Sequence, residues 1–160
     1  MRLTIVAVGR LKAGPERELA DRYLDRLAKG GGALGLEFAG VLELAESRAA
    51  GVAQRKRDEA ARLSAALGER VATICLDETG RDMGSEGFAA EIGRRRDDGM
   101  RELAFVIGGP DGLDPAFRAR AALVLALGRM TFPHQIVRML LAEQLYRATT
   151  ILAGHPYHRV

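Results

Sequence analysis

With one cysteine, Cys75, the chain cannot close an internal disulfide, and it contains no tryptophan. A lone thiol fits a reducing cytosol rather than a disulfide-stapled secreted scaffold. Its neighbours Ile74 and Leu76 make Cys75 a buried strand residue rather than a nucleophile. No apolar run approaches the ~20 residues that span a bilayer. The stretch Leu3–Val8 near the N-terminus is also too short for a signal-peptide core. Histidine is missing before His134, and the three present (His134, His155, His158) carry no cysteine or acid pattern around them. That spacing matches no usual zinc site, so no metal is expected. Nucleotide and hydrolase signatures are missing too. Gly14 is followed by Pro15 and not by Lys-Ser/Thr, no G-x-G-x-x-G follows a strand, and no G-x-S-x-G occurs. A P-loop, a Rossmann dinucleotide site and a serine-hydrolase elbow are thereby excluded.

What remains is ordinary globular material: 160 residues, 48% hydrophobic and 28% charged, enough for one domain over residues 1–160 with a real core. Short apolar runs alternate with longer amphipathic ones, which predicts an α/β fold with a mainly parallel sheet and flanking helices. Strands are expected at Leu3–Val8, Leu36–Leu44 (weakened by Gly40), Val71–Leu76 and Leu103–Ile107. Helices are expected over 15–28, with Pro15 in the first turn and the glycines 30–32 as a break, and over 54–67, a charged surface helix ended by Gly68. Further helices are expected over 86–96, 115–121 and from about Pro133 to Leu152. Residues 122–127 fit strand or helix equally by periodicity.

Two predicted strands and the ambiguous segment 122–127 run into loops suited to a ligand: Leu76-Asp77-Glu78-Thr79-Gly80, Gly108-Gly109-Pro110-Asp111-Gly112, and Gly128-Arg129-Met130-Thr131-Phe132-Pro133. Ligands of open α/β sheets gather beyond the carboxyl ends of strands. Gly108 and Gly109 allow close backbone approach or positive φ, although Pro-Asp-Gly is equally an ordinary turn.

The charge is uneven. The 24 basic and 21 acidic residues divide into 20 and 20 before Gly128, and four and one from there on, so the net +3 lies in the C-terminal fifth. The last helix is apolar over most of its circumference, which calls for cover on more than one side. Glu143 and Arg147 are spaced as a simple helix-surface pair. After Gly154 the chain ends in His155, Pro156, Tyr157, His158 and Arg159, rings and cations of the kind that meet RNA bases. Arg94, Arg95 and Arg96 are followed at once by Asp97 and Asp98 and read as a solvated helix face.

FVIGGPDG followed by LGRMTFPHQIVRMLLAEQLYRATTILAGHPYHR, with VAVG at the start, resembles the small SPOUT-class methyltransferases that act on N3 of a pseudouridine in bacterial large-subunit rRNA. The resemblance implies a C-terminal trefoil knot, a homodimer, S-adenosylmethionine as cofactor, and assembled ribosomes (23S rRNA) as partner in the cytoplasm. It implies a donor pocket from Leu76, Gly108, Gly109, Gly128, Arg129, Met130, Thr131, Phe132 and Pro133. Deprotonation of N3 and its stabilisation fall to Arg159, Arg147 or Arg138, to His158 or His134 as proton acceptor, and to Tyr157 on the base. Two rivals stand beside this reading: a non-catalytic ribosome-associated RNA-binding factor and a small-molecule methyltransferase that uses the tail as a lid.

Overall fold

The structure, a computed structural model, describes residues 1–68 and 71–158. Five strands, β1 (Arg2–Val8), β2 (Glu37–Leu44), β3 (Ala72–Asp82), β4 (Glu102–Ile107) and β5 (Leu123–Ala126), form one sheet in the order β2-β1-β4-β3-β5. Every pairing is parallel. A parallel sheet is covered on both faces, and the strand residues sort accordingly. Leu3, Ile5, Leu103, Phe105 and Ile107 face one apolar layer, while Val6, Val8, Ala104, Val106 and Cys75 face the other. The first layer is supplied by α1 (Pro15–Gly31), α3 (Ser85–Asp97) and α5 (His134–Leu152), the second by α2 (Val52–Leu67) and α4 (Pro115–Ala119). Burial pushes the Cys75 thiol up to about 11, so it stays protonated and serves as packing.

Several boundaries differ from expectation for identifiable reasons. Helix α1 takes in Gly30 and Gly31 before the chain doubles back, with the Leu36 N–H donating to the Gly31 carbonyl at 2.9 Å. Gly40 does not break β2; the register slips there by one residue, Leu3 facing Phe38 and Thr4 facing Gly40. The ambiguous segment 122–127 is a strand, because its backbone finds a ladder on β3. Strand β3 also outruns its apolar part. Leu125 faces both Leu76 and Arg81, so residues 77–80 are thrown out of the sheet as a bulge before pairing resumes. Gly80 permits this closeness, since a Cβ there would lie 2.7–2.8 Å from backbone atoms of Val124 and Leu125.

Two readings of arginine need correction. Arg95 is not a solvated side chain: it is buried, bonded to Glu91 and to the Ala122 carbonyl, while Arg94 pairs with Glu91 and Asp98 and Arg96 with Asp97. Three consecutive arginines therefore serve structural contacts, some with neighbours on α3 and some, as with Arg95 and the Ala122 carbonyl or Arg96 and the Leu34 carbonyl, far along the chain. Arg138 is not available to a substrate either. It is 6% exposed, and its guanidinium donates to the Glu43 carboxylate and to the carbonyls of Val8 and Gly9. Much of the apolar circumference of α5 is covered within the chain by α1, α3 and the sheet, with Leu141, Leu145 and Ala148 almost fully buried.

Carboxylates that hold elements together have lowered pKa values. Burial alone raises Glu43, but the Leu11 N–H and Arg138 outweigh it. Asp77 is likewise raised by burial and then brought below its ordinary range by Thr79 and Arg118. A depressed carboxylate pKa contributes stability that is present above its unfolded value and lost as pH falls through the folded one. Urea unfolding between about pH 6 and about pH 3 should therefore show a steady loss of stability below the ordinary carboxylate range. Glu43→Gln should flatten that dependence while lowering stability at neutral pH.

Candidate active site

Strands β4, β3 and β5 are neighbours, so their carboxyl ends open side by side and the loops beyond them meet. They enclose a cavity of about 420 Å³. Leu76, Gly108, Gly109, Gly128, Met130, Thr131 and Phe132 all line it, and so does His134 at the first turn of α5. Arg129 and Pro133 of the same loop are exposed and lie outside the lining.

The β4 loop takes the form of an ordinary turn. The Gly112 N–H donates to the Gly109 carbonyl at 2.9 Å, closing an ordinary turn whose inner wall is the cavity. Gly108 and Gly109 do not take positive φ; their small size is what matters. A Cβ on Gly108 would sit 3.0 Å from the Gly112 carbonyl carbon, and one on Gly109 2.9 Å from Glu59 Oε2 and 3.1 Å from Val8 Cγ1.

Glu59 belongs to α2, the helix that sequence reasoning treated as a plain charged surface. Three of its residues support the site. Arg55 grips Asp111 through two hydrogen bonds, at 2.6 and 3.1 Å, and so fastens the turn; this hydrogen bonding holds the Asp111 carboxyl below its usual range. Lys56 lines the cavity. Glu59 is 4% exposed, accepts the Ser47 N–H at 2.9 Å through Oε1, and presses Oε2 against Gly109 with no hydrogen-bond partner in the described residues. No local pattern distinguishes these three from the other charges of α2, because their partners lie far along the chain.

The β3 bulge was legible as a loop but not in its bonding. Arg118 of α4 donates to Asp77 at 2.8 Å and to Thr79 Oγ1 at 3.1 Å. Across the mouth, Thr131 Oγ1 donates to Glu78 Oε2 at 2.6 Å, tying the β5 loop to the bulge. Acidic and basic groups thus alternate around an otherwise apolar floor of Leu76, Ile107, Leu125 and Leu127.

Tyr157 and Arg147 lie at the other end of α5. Arg147 donates to Glu143 Oε1 through Nε at 2.9 Å, so the expected i,i+4 pair exists, and its guanidinium also stands 5.2 Å from the Tyr157 ring centroid. The tail is not simply solvated: Tyr157 packs edge-on against Tyr146 at 4.9 Å. Its hydroxyl lies within 3.5 Å of Tyr23 and 3.4 Å of Glu143. Burial, then the Tyr23 and Glu143 contacts, push the Tyr157 phenol up to about 12, so it is a neutral hydrogen-bond donor at physiological pH. The side chain of His158, and Arg159, lie outside the described residues. His134 and Arg147 are thirteen residues apart on α5, about 20 Å at 1.5 Å per residue. One chain therefore does not bring its own cavity and tail together.

Gly109→Ala should destabilise the fold by about 1–3 kcal/mol through overpacking. Glu59→Ala in the same chain should relieve part of that cost. A double-mutant cycle by urea unfolding checks it, and strict additivity would show that the two residues are not in contact.

Comparison with known proteins places this geometry. The family model described as "Predicted SPOUT methyltransferase" matches residues 1–158. The protein named ribosomal RNA large subunit methyltransferase H in Brucella anthropi is 64% identical to this chain over 99% of both, and its namesake in Brucella abortus is 60% identical over 99% of both. The crystal structure of a probable methyltransferase from Bordetella pertussis covers 92% of this chain and 93% of its own, with a TM-score of 0.50 and 12% identity, a likeness of fold alone. This chain belongs to the SPOUT methyltransferase family.

Proposed function

We propose that the protein transfers a methyl group from S-adenosylmethionine to N3 of a pseudouridine in 23S rRNA, acting on assembled ribosomes in the cytoplasm as a homodimer. The observation that carries this reading is the cavity of three strand-end loops at one end of α5 with a ring-and-cation tail at the other. The trefoil knot that accompanies the family forms part of the same proposal, and the tight passage of β3 against β5 at Gly80 supports it. Among the described residues no helix is long and apolar enough to cross a membrane, and no cluster suited to a metal ion occurs.

The cavity suits the donor. Its volume lies in the range of small-molecule sites, ~300–1,000 Å³. Its apolar floor of Leu76, Leu125 and Leu127 can cover an adenine, and glycines 108, 109 and 128 leave backbone groups accessible to its edge. The Glu78 carboxylate, which accepts from Thr131 and forms no ion pair among the described residues, offers negative charge to a cationic ligand. When bound, the donor supplies an electrophilic methyl on a sulfonium. Met130, Thr131 and Phe132 form one wall of the site, held by the Thr131–Glu78 bond. In this scheme Arg129 and Pro133 shape the loop from outside.

At the tail, Tyr157 stays neutral and so stacks on or donates to the base rather than taking its proton. Proton acceptance falls to His134 or His158. Arg147 and Arg159 stabilise the N3 anion, and Arg147 is already oriented by Glu143. Because cavity and tail lie some 20 Å apart within one chain, the reacting atoms meet only where the cavity of one protomer faces the tail of its partner. A non-catalytic ribosome factor would have no use for a small-molecule cavity of this size beside an RNA-binding tail.

The test is methyl transfer from labelled S-adenosylmethionine to ribosomes lacking the modification, with free large subunits and naked rRNA alongside. One methyl on one pseudouridine, only in assembled ribosomes, is expected. Transfer to small molecules alone would overturn the reading. Arg147→Ala should lower kcat about 10²-fold or more with donor affinity unchanged. Arg147→Ala and Gly109→Leu, each inactive alone, should regain about one active site in four when the two chains are mixed and allowed to exchange, as expected for a two-fold dimer with shared sites.

A further inference from the structure

Helix α1 carries a group that the reaction scheme above does not use. Arg22 and Arg26 are exposed and separated by one helical turn, on either side of Tyr23. Neither makes an ion pair among the described residues, whereas the neighbouring acids are engaged elsewhere, Asp21 with Arg17 and Asp25 with Lys29. Arg2, Arg55, Arg94, Arg96, Arg118 and Arg147 face carboxylates, while other exposed arginines such as Arg10 and Arg101 form no ion pair among the described residues either, so it is posture and not charge alone that sets Arg26 apart. Arg26 is nevertheless held in place. Its guanidinium stands 5.9 Å from the Tyr23 ring centroid and 5.7 Å from that of Tyr146, straddling two rings that are themselves 6.1 Å apart. Tyr146 in turn meets Tyr157, and the Tyr157 hydroxyl approaches that of Tyr23. Arg26 thus sits on an aromatic strip continuous with the tail, with Arg22 one helical turn away on α1.

An oriented guanidinium without a counter-ion has donors to spare, and its planar fork matches phosphate oxygens. A protein interface tends to exclude unpaired charge from its centre, whereas an RNA strand supplies the missing negative charge. We propose that Arg22 and Arg26 bind backbone phosphates of the single-stranded rRNA next to the target nucleotide, with Tyr23 and Tyr146 fixing the angle of Arg26. The inference rests on the functional reading given above, which places the tail at the target base. It adds a strand-binding edge on α1.

The experiment compares the full-length protein with Arg22→Ala/Arg26→Ala and Arg22→Lys/Arg26→Lys, using unmodified ribosomes over a series of salt concentrations. The alanine pair should raise KM for ribosomes about tenfold with kcat nearly unchanged. It should also reduce the slope of log affinity against log salt by about 1.4, at ~0.7 per phosphate contact on a single strand. Affinity for S-adenosylmethionine and the dimer mass by light scattering should not move. The lysine pair should restore the salt slope, because a point charge still pairs with phosphate. An unchanged KM and slope in an otherwise active alanine variant would overturn the inference and leave the function intact. A dissociated dimer would overturn it as well, by showing that the face meets a second copy. A wild-type protein that methylates no ribosome would instead remove the functional reading on which the inference stands.

Discussion

The position of α5 is the constraint on which the rest depends. The helix presents His134 to the cavity at its first turn and Arg147, then the tail, at the other end. Its placement along the sheet is set by Arg138, whose guanidinium reaches the carbonyls at the end of β1 and the carboxylate of Glu43 on β2. A buried charge pair adds little net stability against an apolar replacement, because desolvation offsets the attraction. What it adds is directional: an apolar helix between α1 and α3 could slide by a turn at modest cost, and Arg138 finds its acceptors in one register only. The sequence motif thus combines two functions that chemistry separates. Arg138 locates the helix, and the ends of the helix carry the site.

Around the cavity the same economy recurs with α2. The turn Gly109–Gly112 is short and has few internal bonds, so its shape is imposed from outside, by Arg55 on Asp111 and by Glu59 beneath Gly109. The bulge after Leu76 is fixed in a similar way by Arg118. The β4 and β3 loops are each held by a charged side chain from a helix on the α2–α4 face, the β5 loop is tied to the bulge through Thr131 and Glu78, and the α5 side contributes His134 and Val137 to the lining. The scaffold and the reacting surface are therefore drawn from opposite layers of the sheet.

Sequence patterning disclosed the layers, the strands and the three converging loops because these depend on local periodicity and on glycine placement. It did not disclose the anchors. Glu59 and Arg55 look like any charges on an amphipathic helix until the fold brings Gly109 and Asp111 against them. Arg95 and Arg138 show why charge type is a poor guide to exposure: each is buried because a partner far along the chain accepts its hydrogen bonds. The tail was legible in composition but not in posture. That Tyr157 folds back onto Tyr146 depends on α1 lying beside α5, a pairing that no segment of either helix announces.

Charge balance suggests how such a small protein discriminates among RNAs. Upstream of Gly128 acids and bases cancel in number, and some of them also cancel pairwise at close range. Under the functional reading, a surface whose charges balance in number offers little net attraction to arbitrary RNA. Arg147 follows the same pattern, since Glu143 leaves that pair formally neutral; in the proposed scheme its contribution to a developing anion is one of oriented dipole. Under the dimeric reading, net attraction comes from a few unpaired cations near the tail, and productive geometry requires a second protomer's cavity opposite. Weak general binding combined with a demanding geometry favours a substrate whose shape is already fixed, as it is on an assembled ribosome, over a flexible strand that must be ordered on arrival.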